Sequence, residues 1–132
     1  MPEINLPHDH NNGNCEKLIK QLERLDDFQT VADIFKQLSD RSRIRIFWIL
    51  CHCEECVINL SALVNMTTPA VSHLLKQLKI SGLIVSRREG KEVYYTAADT
   101  VQAKLCHELI EQVMACACPS KKPRKSSNRR NS

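Results

Sequence analysis

Aromatic residues are scarce in this chain of 132 residues, at 5%, and glycine and proline number only three and five. That scarcity disfavours a sandwich or barrel of aromatic-rich strands joined by many tight turns, and favours helices built on Leu, Ile and Val. Long apolar runs are missing too. The longest strongly apolar stretch, "IFWIL" at 46–50, is far short of the ~20 residues that span a bilayer. The opening stretch "MPEINLPHDHNNGNCEK" lacks the basic region and apolar run of an export signal. A cytoplasmic protein with no membrane partner is therefore expected. Acidic residues are absent after Pro119, where "SKKPRKSSNRRNS" holds six Lys and Arg. Removing those six from the net charge of +4 leaves −2 over residues 1–118.

What the chain does have is sulfur. Seven cysteines are present, and three of them share six positions with a histidine in "CHCEEC", residues 51–56. Cytosolic thiols are kept reduced, and an odd number cannot all pair, so a disulfide framework does not explain them. Metal ligands or reactive thiols are expected. An apolar content of 42% over this length supports one modest core. The expected organisation is a flexible arm over 1–14, a folded domain over 15–118 and a basic disordered tail over 119–132.

Helical spacing begins at Cys15, with Leu18, Leu22 and Leu25 on one face, followed by Val31, Ile34, Phe35 and Leu38 on a second. Ser39 and Asp40 offer an N-cap for a helix whose buried stripe is expected to be Ile44, Phe47, Trp48 and Cys51. A short helix around Leu60, Leu63 and Val64 is followed by "NMTT", and Thr67 or Thr68 can cap the next helix, with Pro69 in its first turn. Val71, Leu74, Leu75 and Leu78 form that helix's apolar stripe, and Gly82 ends it. The period then changes: "LIVSRR" and "KEVYYT" flank Glu89-Gly90, which predicts a β-hairpin. Asp99 is the expected cap of a last helix carrying Val101, Leu105, Leu109 and Val113.

Two short helices joined by a tight polar turn and followed at once by a basic hairpin make a winged helix-turn-helix, mainly α with a β-hairpin wing. With Val71, Leu74, Leu75 and Leu78 turned to the core, Thr67, Thr68, Ser72, His73, Lys76 and Gln77 are left to reach base edges and phosphates in a major groove. Arg87, Arg88 and Lys91 near the hairpin tip suit phosphates or a minor groove. Double-stranded DNA is the expected partner. An enzyme is not expected: no Cys-x-x-Cys stands in a βαβ context, and no Cys-His-Asp set is suggested by spacing.

The stretch from "LSDRSRIRIFWIL" through "ECVINLSALVNMTTPAVSHLLKQLKISGLIVSRREGKEVYYTAAD" resembles the ArsR/SmtB family of metal-responsive repressors. The likeness covers roughly residues 29–116, and its most specific part is "AVSHLLKQLKISGLI" followed by "RREGKEVYY". It implies a homodimer whose first and last helices form the interface, with Val31, Ile34, Phe35, Leu105, Leu109 and Val113 partly facing another subunit. It further implies a palindromic operator that is released when an effector binds. Many relatives carry two consecutive histidines after the recognition-helix serine, whereas here His73 is followed by Leu74.

Relatives often begin the helix before the recognition helix with a Glu-Leu-Cys-Val-Cys-Asp-Leu box that binds thiophilic metals. The matching "EECVINL" keeps Cys56 and has Ile58 in place of the second cysteine, while Cys51 and Cys53 lie just upstream. Three thiolates suffice for Cd(II), Pb(II) or trivalent arsenic. Zn(II) prefers four ligands, and the arm offers His8, His10 and Cys15; the resemblance favours Cys15. The expected metal residues are thus Cys51, Cys53, Cys56 and Cys15. The family's zinc site on the last helix uses Asp and His with His and Glu, whereas Asp99, Val101, Gln112 and Ala115 stand there now. Cys106, His107, Cys116 and Cys118 could form a second soft site. The resemblance also permits an alternative use of the thiols, as a redox or persulfide switch on the same fold.

Overall fold

A computed structural model of the chain describes residues 5–8 and 15–116. The elements are α1 (Cys15–Leu22), α2 (Leu25–Gln37), α3 (Arg41–His52), β1 (Glu55–Cys56), α4 (Val57–Val64), α5 (Thr68–Ile80), β2 (Ile84–Glu89), β3 (Glu92–Ala97) and α6 (Val101–Cys116). The expected basic tail, with Cys118, lies outside the described residues, as does most of the expected arm, including His10. Among the described residues no helix is long and apolar enough to cross a membrane.

The chain divides into two compact units at Lys36–Gln37. In the first, the expected Leu18, Leu22, Leu25 face is split, because α1 stops at Leu22 and Leu25 opens α2. Arg24 stands at the break and its guanidinium is drawn to both sides, Nη1 donating to Gln21 Oε1 and Nε to Asp27 Oδ2. Neither α1 nor α2 buries a residue, and Phe28, Val31 and Phe35 stand exposed on α2.

The second unit holds the core. Asp40 caps α3 by accepting from the Arg43 backbone N–H at 2.9 Å. The buried face of α3 is Ile46, Phe47 and Leu50, which corrects the expected Ile44, Phe47, Trp48, Cys51 stripe. Both stripes have helical spacing, and the packed helix is rotated so that Trp48 stays 36% exposed. Ile44, Trp48 and Ile49 instead line a groove of about 420 Å³ with Ile110 and Met114 of α6. On α4 the buried residues are Leu60, Ser61 and Val64, while Leu63 is exposed; Ser61 replaces it inside because its hydroxyl donates to the Val57 carbonyl at 2.8 Å. The helix ends on Asn65 in the left-handed conformation, φ 57°, which turns the chain toward α5.

Thr67 caps α5, its hydroxyl accepting from the Ala70 N–H, and Pro69 sits in the first turn. Thr67→Ala is expected to destabilise the unit by ~1 kcal/mol. Urea unfolding should show a lower midpoint at the same slope, and an unchanged midpoint would remove the cap from the account. Val71, Leu74, Leu75 and Leu78 are all buried, as the spacing predicted. Gly82, at φ 85°, carries the chain out of α5, and the Leu83 N–H returns to the Leu78 carbonyl.

β2 and β3 form the hairpin around Gly90 and Lys91, with Glu89 opposite Glu92. Gly90 has φ 65° and Lys91 a negative φ, the pattern of a two-residue II′ turn. β1 adds on the other side of β3, pairing Glu55 with Tyr95 and Cys56 with Tyr94, so the sheet order is β1-β3-β2. The cap of α6 is Thr100, which accepts from the Ala103 N–H, rather than the expected Asp99; Asp99 pairs instead with Lys104. Ala103, Cys106 and Ile110 are the buried residues of α6, leaving Val101, Leu105, Leu109 and Val113 exposed in a row.

Candidate nucleic-acid interface and thiol segment

Burying four apolar residues of α5 fixes which residues the helix presents. Thr68, Ser72, His73 and Lys76 lie exposed along it, with Thr67 exposed at its cap. Gln77 is half-buried, its Oε1 accepting from Arg43 Nη1 at 3.0 Å, while Arg43 Nε donates to the Gln37 carbonyl. That fork ties the start of α3 to the middle of α5 and makes Gln77 a positioning contact as well as a surface one.

At the wing the three predicted cations divide. Arg88 and Lys91 are exposed at the tip. Arg87 is turned back: its Nε and Nη2 meet the two Glu54 oxygens at 2.7 and 2.8 Å, Nη1 meets Glu89 at 2.7 Å, and its guanidinium carbon lies 4.8 Å from the Tyr94 ring centroid. This is the bidentate fork that suits guanidinium to carboxylate. The hydrogen bonds from Arg87 hold the Glu54 carboxyl below its usual range, and Glu54 in turn holds Arg87 more firmly protonated.

Glu54 lies inside "CHCEEC", so the wing and the thiol segment are one piece of structure. Cys51 is half-buried near the end of α3, and its thiol is pushed up to about 12, first by burial and then by Cys106 and Glu111. At neutral pH it is a thiol, not a thiolate. Cys53 is exposed, ends α3 in an extended conformation, and its Sγ lies 3.5 Å from the Ile49 carbonyl oxygen. Cys56 is half-buried in β1 against β3. Cys15 begins α1 in the first unit. On α6, Cys106 is buried, with its thiol also pushed up by burial, while Cys116 is exposed at the helix end.

The thiols at 51, 53 and 56 do not converge. Among the described residues, the set of three metal-binding side chains whose donor atoms lie within 4.8 Å of one another is His52, His107 and Glu111. Of these only His107 was named as a candidate ligand from the sequence, His52 being noted there only as a neighbour of the cysteines. The His107–Glu111 separation of four is legible as one helix face. The third member comes from α3, 55 positions earlier in the chain, and no local signal announces it. Glu54 was missed for the same reason, being brought to Arg87 across 33 residues. Trp48 Nε1 donates to Glu111 Oε2 at 2.8 Å and, with smaller contributions from His107 and His52, holds that carboxyl below its usual range.

Comparison with known proteins agrees with the winged helix-turn-helix fold. The family described as "Bacterial regulatory protein, arsR family" matches residues 40–86, from the cap of α3 into β2. The chain is 37% identical over 89 residues to a transcriptional repressor SmtB homolog of Synechocystis, covering 67% of each protein. It is 33% identical over 100 residues to a cadmium resistance transcriptional regulatory protein CadC homolog of Staphylococcus aureus, covering 75% of this chain and 79% of that one. A homodimeric winged helix-turn-helix DNA-binding domain from Mycobacterium bovis superposes with a TM-score of 0.63 at 27% identity, over 70% of this chain and 84% of that one.

Proposed function

Because this chain belongs to the arsR family of bacterial regulatory proteins, we propose that it is a DNA-binding transcriptional repressor which releases its operator on binding a thiophilic metal or metalloid ion: Cd(II), Pb(II), Zn(II) or As(III). It acts as a homodimer on a palindromic operator. The exposed apolar rows of α6 (Leu105, Leu109, Val113) and of α2 (Val31, Phe35) are the surfaces a second copy covers. Thr68, Ser72, His73 and Lys76 of α5 enter the major groove, and Arg88 and Lys91 contact phosphate beside it.

The observation that carries the metal response is the union of thiol segment and wing. Cys53 and Cys56 bracket Glu54, the partner of Arg87, and Cys56 itself pairs with Tyr94 of β3. In the conformation described, the cysteines are not gathered, so a soft ion that gathers them must move the 53–56 backbone. That movement strains the Glu54–Arg87 fork and the β1–β3 pairing, and thereby the wing. An ion that binds the gathered arrangement better than the ungathered one shifts the population away from the DNA-binding form. A coupling of ~1–3 kcal/mol weakens operator affinity from several-fold to more than a hundred-fold. Cys51, protonated and half-buried, is the weaker of the upstream ligands.

The test is fluorescence anisotropy of reduced, full-length protein on a labelled duplex recovered by selection from random DNA, with each of the four ions. Release by at least one ion supports the reading. Equal affinity with and without all four overturns the metal response, and failure to recover any duplex overturns DNA binding. In the same assay Arg88→Ala and Lys91→Ala are each expected to reduce the slope of log affinity against log salt by ~0.9; a double variant with the parent slope takes the wing tip out of the interface.

A second reading, a thiol redox repressor, has one observation in its favour: Cys106 on α6 is near enough to Cys51 on α3 to disfavour the Cys51 thiolate. A reversible Cys51–Cys106 bridge in mass spectrometry after mild oxidant would support it. The high pKa of Cys51, which leaves little thiolate to react, ranks it second.

A further inference from the structure

Apart from the thiols themselves, one cluster has the chemistry of a cation site. His52 is the last residue of α3, and His107 and Glu111 are one turn apart on α6. His107 Nε2 lies 3.2 Å and His52 Nε2 3.5 Å from the same Glu111 oxygen, and the three donor atoms lie within 4.8 Å of one another. The two imidazole rings meet edge to face at 4.9 Å.

We propose that His52, His107 and Glu111 form a nitrogen- and oxygen-lined site for a borderline first-row divalent ion such as Zn(II), which fastens the end of α3 to α6 within one subunit. A tetrahedral ion with ligand bonds of about 2.0–2.2 Å holds neighbouring donor atoms roughly 3.3–3.5 Å apart. The His52-to-carboxylate distance of 3.5 Å falls in that range, and the His107 distance of 3.2 Å lies just below it. The remaining histidine–histidine edge closes by rotation of two side chains that are each partly solvent-exposed, so the ion has a way in. Three protein ligands leave the fourth position for water.

The surroundings favour a built site over a chance meeting of surface groups. Trp48 Nε1 donates at 2.8 Å to Glu111 Oε2, the oxygen that both histidines face, and so holds the carboxylate in place, and the Trp48 ring lies 4.5 Å from the His52 ring. Outer contacts of this kind orient ligands for a metal. Imidazole with carboxylate suits Zn(II) and its neighbours, whereas Cd(II) and Pb(II) are drawn to thiolates. The site is therefore chemically distinct from the thiols of Cys53 and Cys56, although His52 lies in the same stretch of chain. It does not depend on the operator reading.

Trp48 is the single tryptophan of the chain, so its emission reports directly on the cluster. The full-length Cys53→Ser, Cys56→Ser protein, reduced, is titrated with Co(II) while visible absorbance and tryptophan fluorescence are recorded. Ligand-field bands without sulfur-to-cobalt charge transfer, together with quenched Trp48 emission, are expected. Both signals should fall at least tenfold in apparent affinity when His107→Ala or Glu111→Gln is added, and Zn(II) should displace Co(II). A strong charge-transfer band would assign the ion to another thiol and overturn the proposal. So would the absence of any cobalt spectrum, or a spectrum unmoved by both substitutions. Loss of operator release in the same Ser variant bears only on the thiol segment, so the two readings fail separately.

Discussion

Truncating Leu78 to alanine is expected to lower the unfolding free energy by ~2–5 kcal/mol, the range for removing a fully buried leucine when the site cannot collapse. Leu78 is 0% exposed and sits in the last turn of the recognition helix α5. Its carbonyl accepts the Leu83 N–H, so the same residue anchors the chain where it leaves the helix for the wing. Leu83 and Ile84, at 0% and 1% exposure, are buried in the same core. A cavity there loosens the junction between the two groove-reading elements. Two residues on, Ile80 is 78% exposed, and Ile80→Ala should change stability by less than about 0.5 kcal/mol. Urea unfolding of the two variants side by side checks the contrast. A Leu78→Ala loss below ~1 kcal/mol would mean that α5 is not held as described. Since a small domain has only ~5–15 kcal/mol in hand, operator affinity of this variant should fall with the folded fraction, and conditions that restore folding should restore binding.

How far the sequence alone could go is visible in the contrast between α5 and α3. On α5 a single apolar stripe is available, and Val71, Leu74, Leu75 and Leu78 are the buried residues. The wing was legible as a hairpin, but its turn falls on Gly90-Lys91, one position later than the expected Glu89-Gly90, because Glu89 still pairs with Glu92 in the ladder. On α3 the run "IFWIL" is apolar all round, so two stripes compete, and only packing decides that Ile46, Phe47 and Leu50 go inside. The row Val101, Leu105, Leu109, Val113 correctly marked α6 as a helix, yet it is the exposed side. Periodicity finds an apolar face without saying whether the face meets its own core or a second copy. Ser61 shows the reverse case, a polar residue taken inside because its hydroxyl is satisfied by the preceding turn.

The candidate sites were legible in proportion to how local they are. Cysteine spacing drew attention to 51–56, and that segment does border the reading head. What spacing could not convey is that β1 is a strand of the wing sheet, or that Glu54 clasps Arg87. Arg87 was assigned to DNA on its charge alone; spacing could not show that its guanidinium also makes three short contacts with Glu54 and Glu89, which under the proposed function join the thiol segment to the wing. On the proposed reading, an ion at Cys53 and Cys56 reaches the wing through one carboxylate and two strand pairings.

Replacing Cys53 and Cys56 together by serine should therefore leave ion-free operator affinity within about twofold of the parent while abolishing release, a loss of the whole several-fold to hundred-fold response expected of a ~1–3 kcal/mol coupling. Serine preserves the volume and the extended backbone of 53–56, so the Glu54–Arg87 fork and the β1–β3 register should persist. What disappears is the pair of soft ligands able to gather the segment. Cd(II) titration followed by sulfur-to-metal absorbance and by anisotropy reads both halves at once. The charge-transfer band should vanish along with release. Glu54→Gln separates sensing from transmission: it keeps both thiols, and so the absorbance band, but weakens the fork to Arg87 by removing its charge. That variant should bind Cd(II) like the parent and release the operator less. Full release in Glu54→Gln would place transmission elsewhere in the sheet, and an unchanged band in the double serine variant would mean that other thiols of the chain hold the ion.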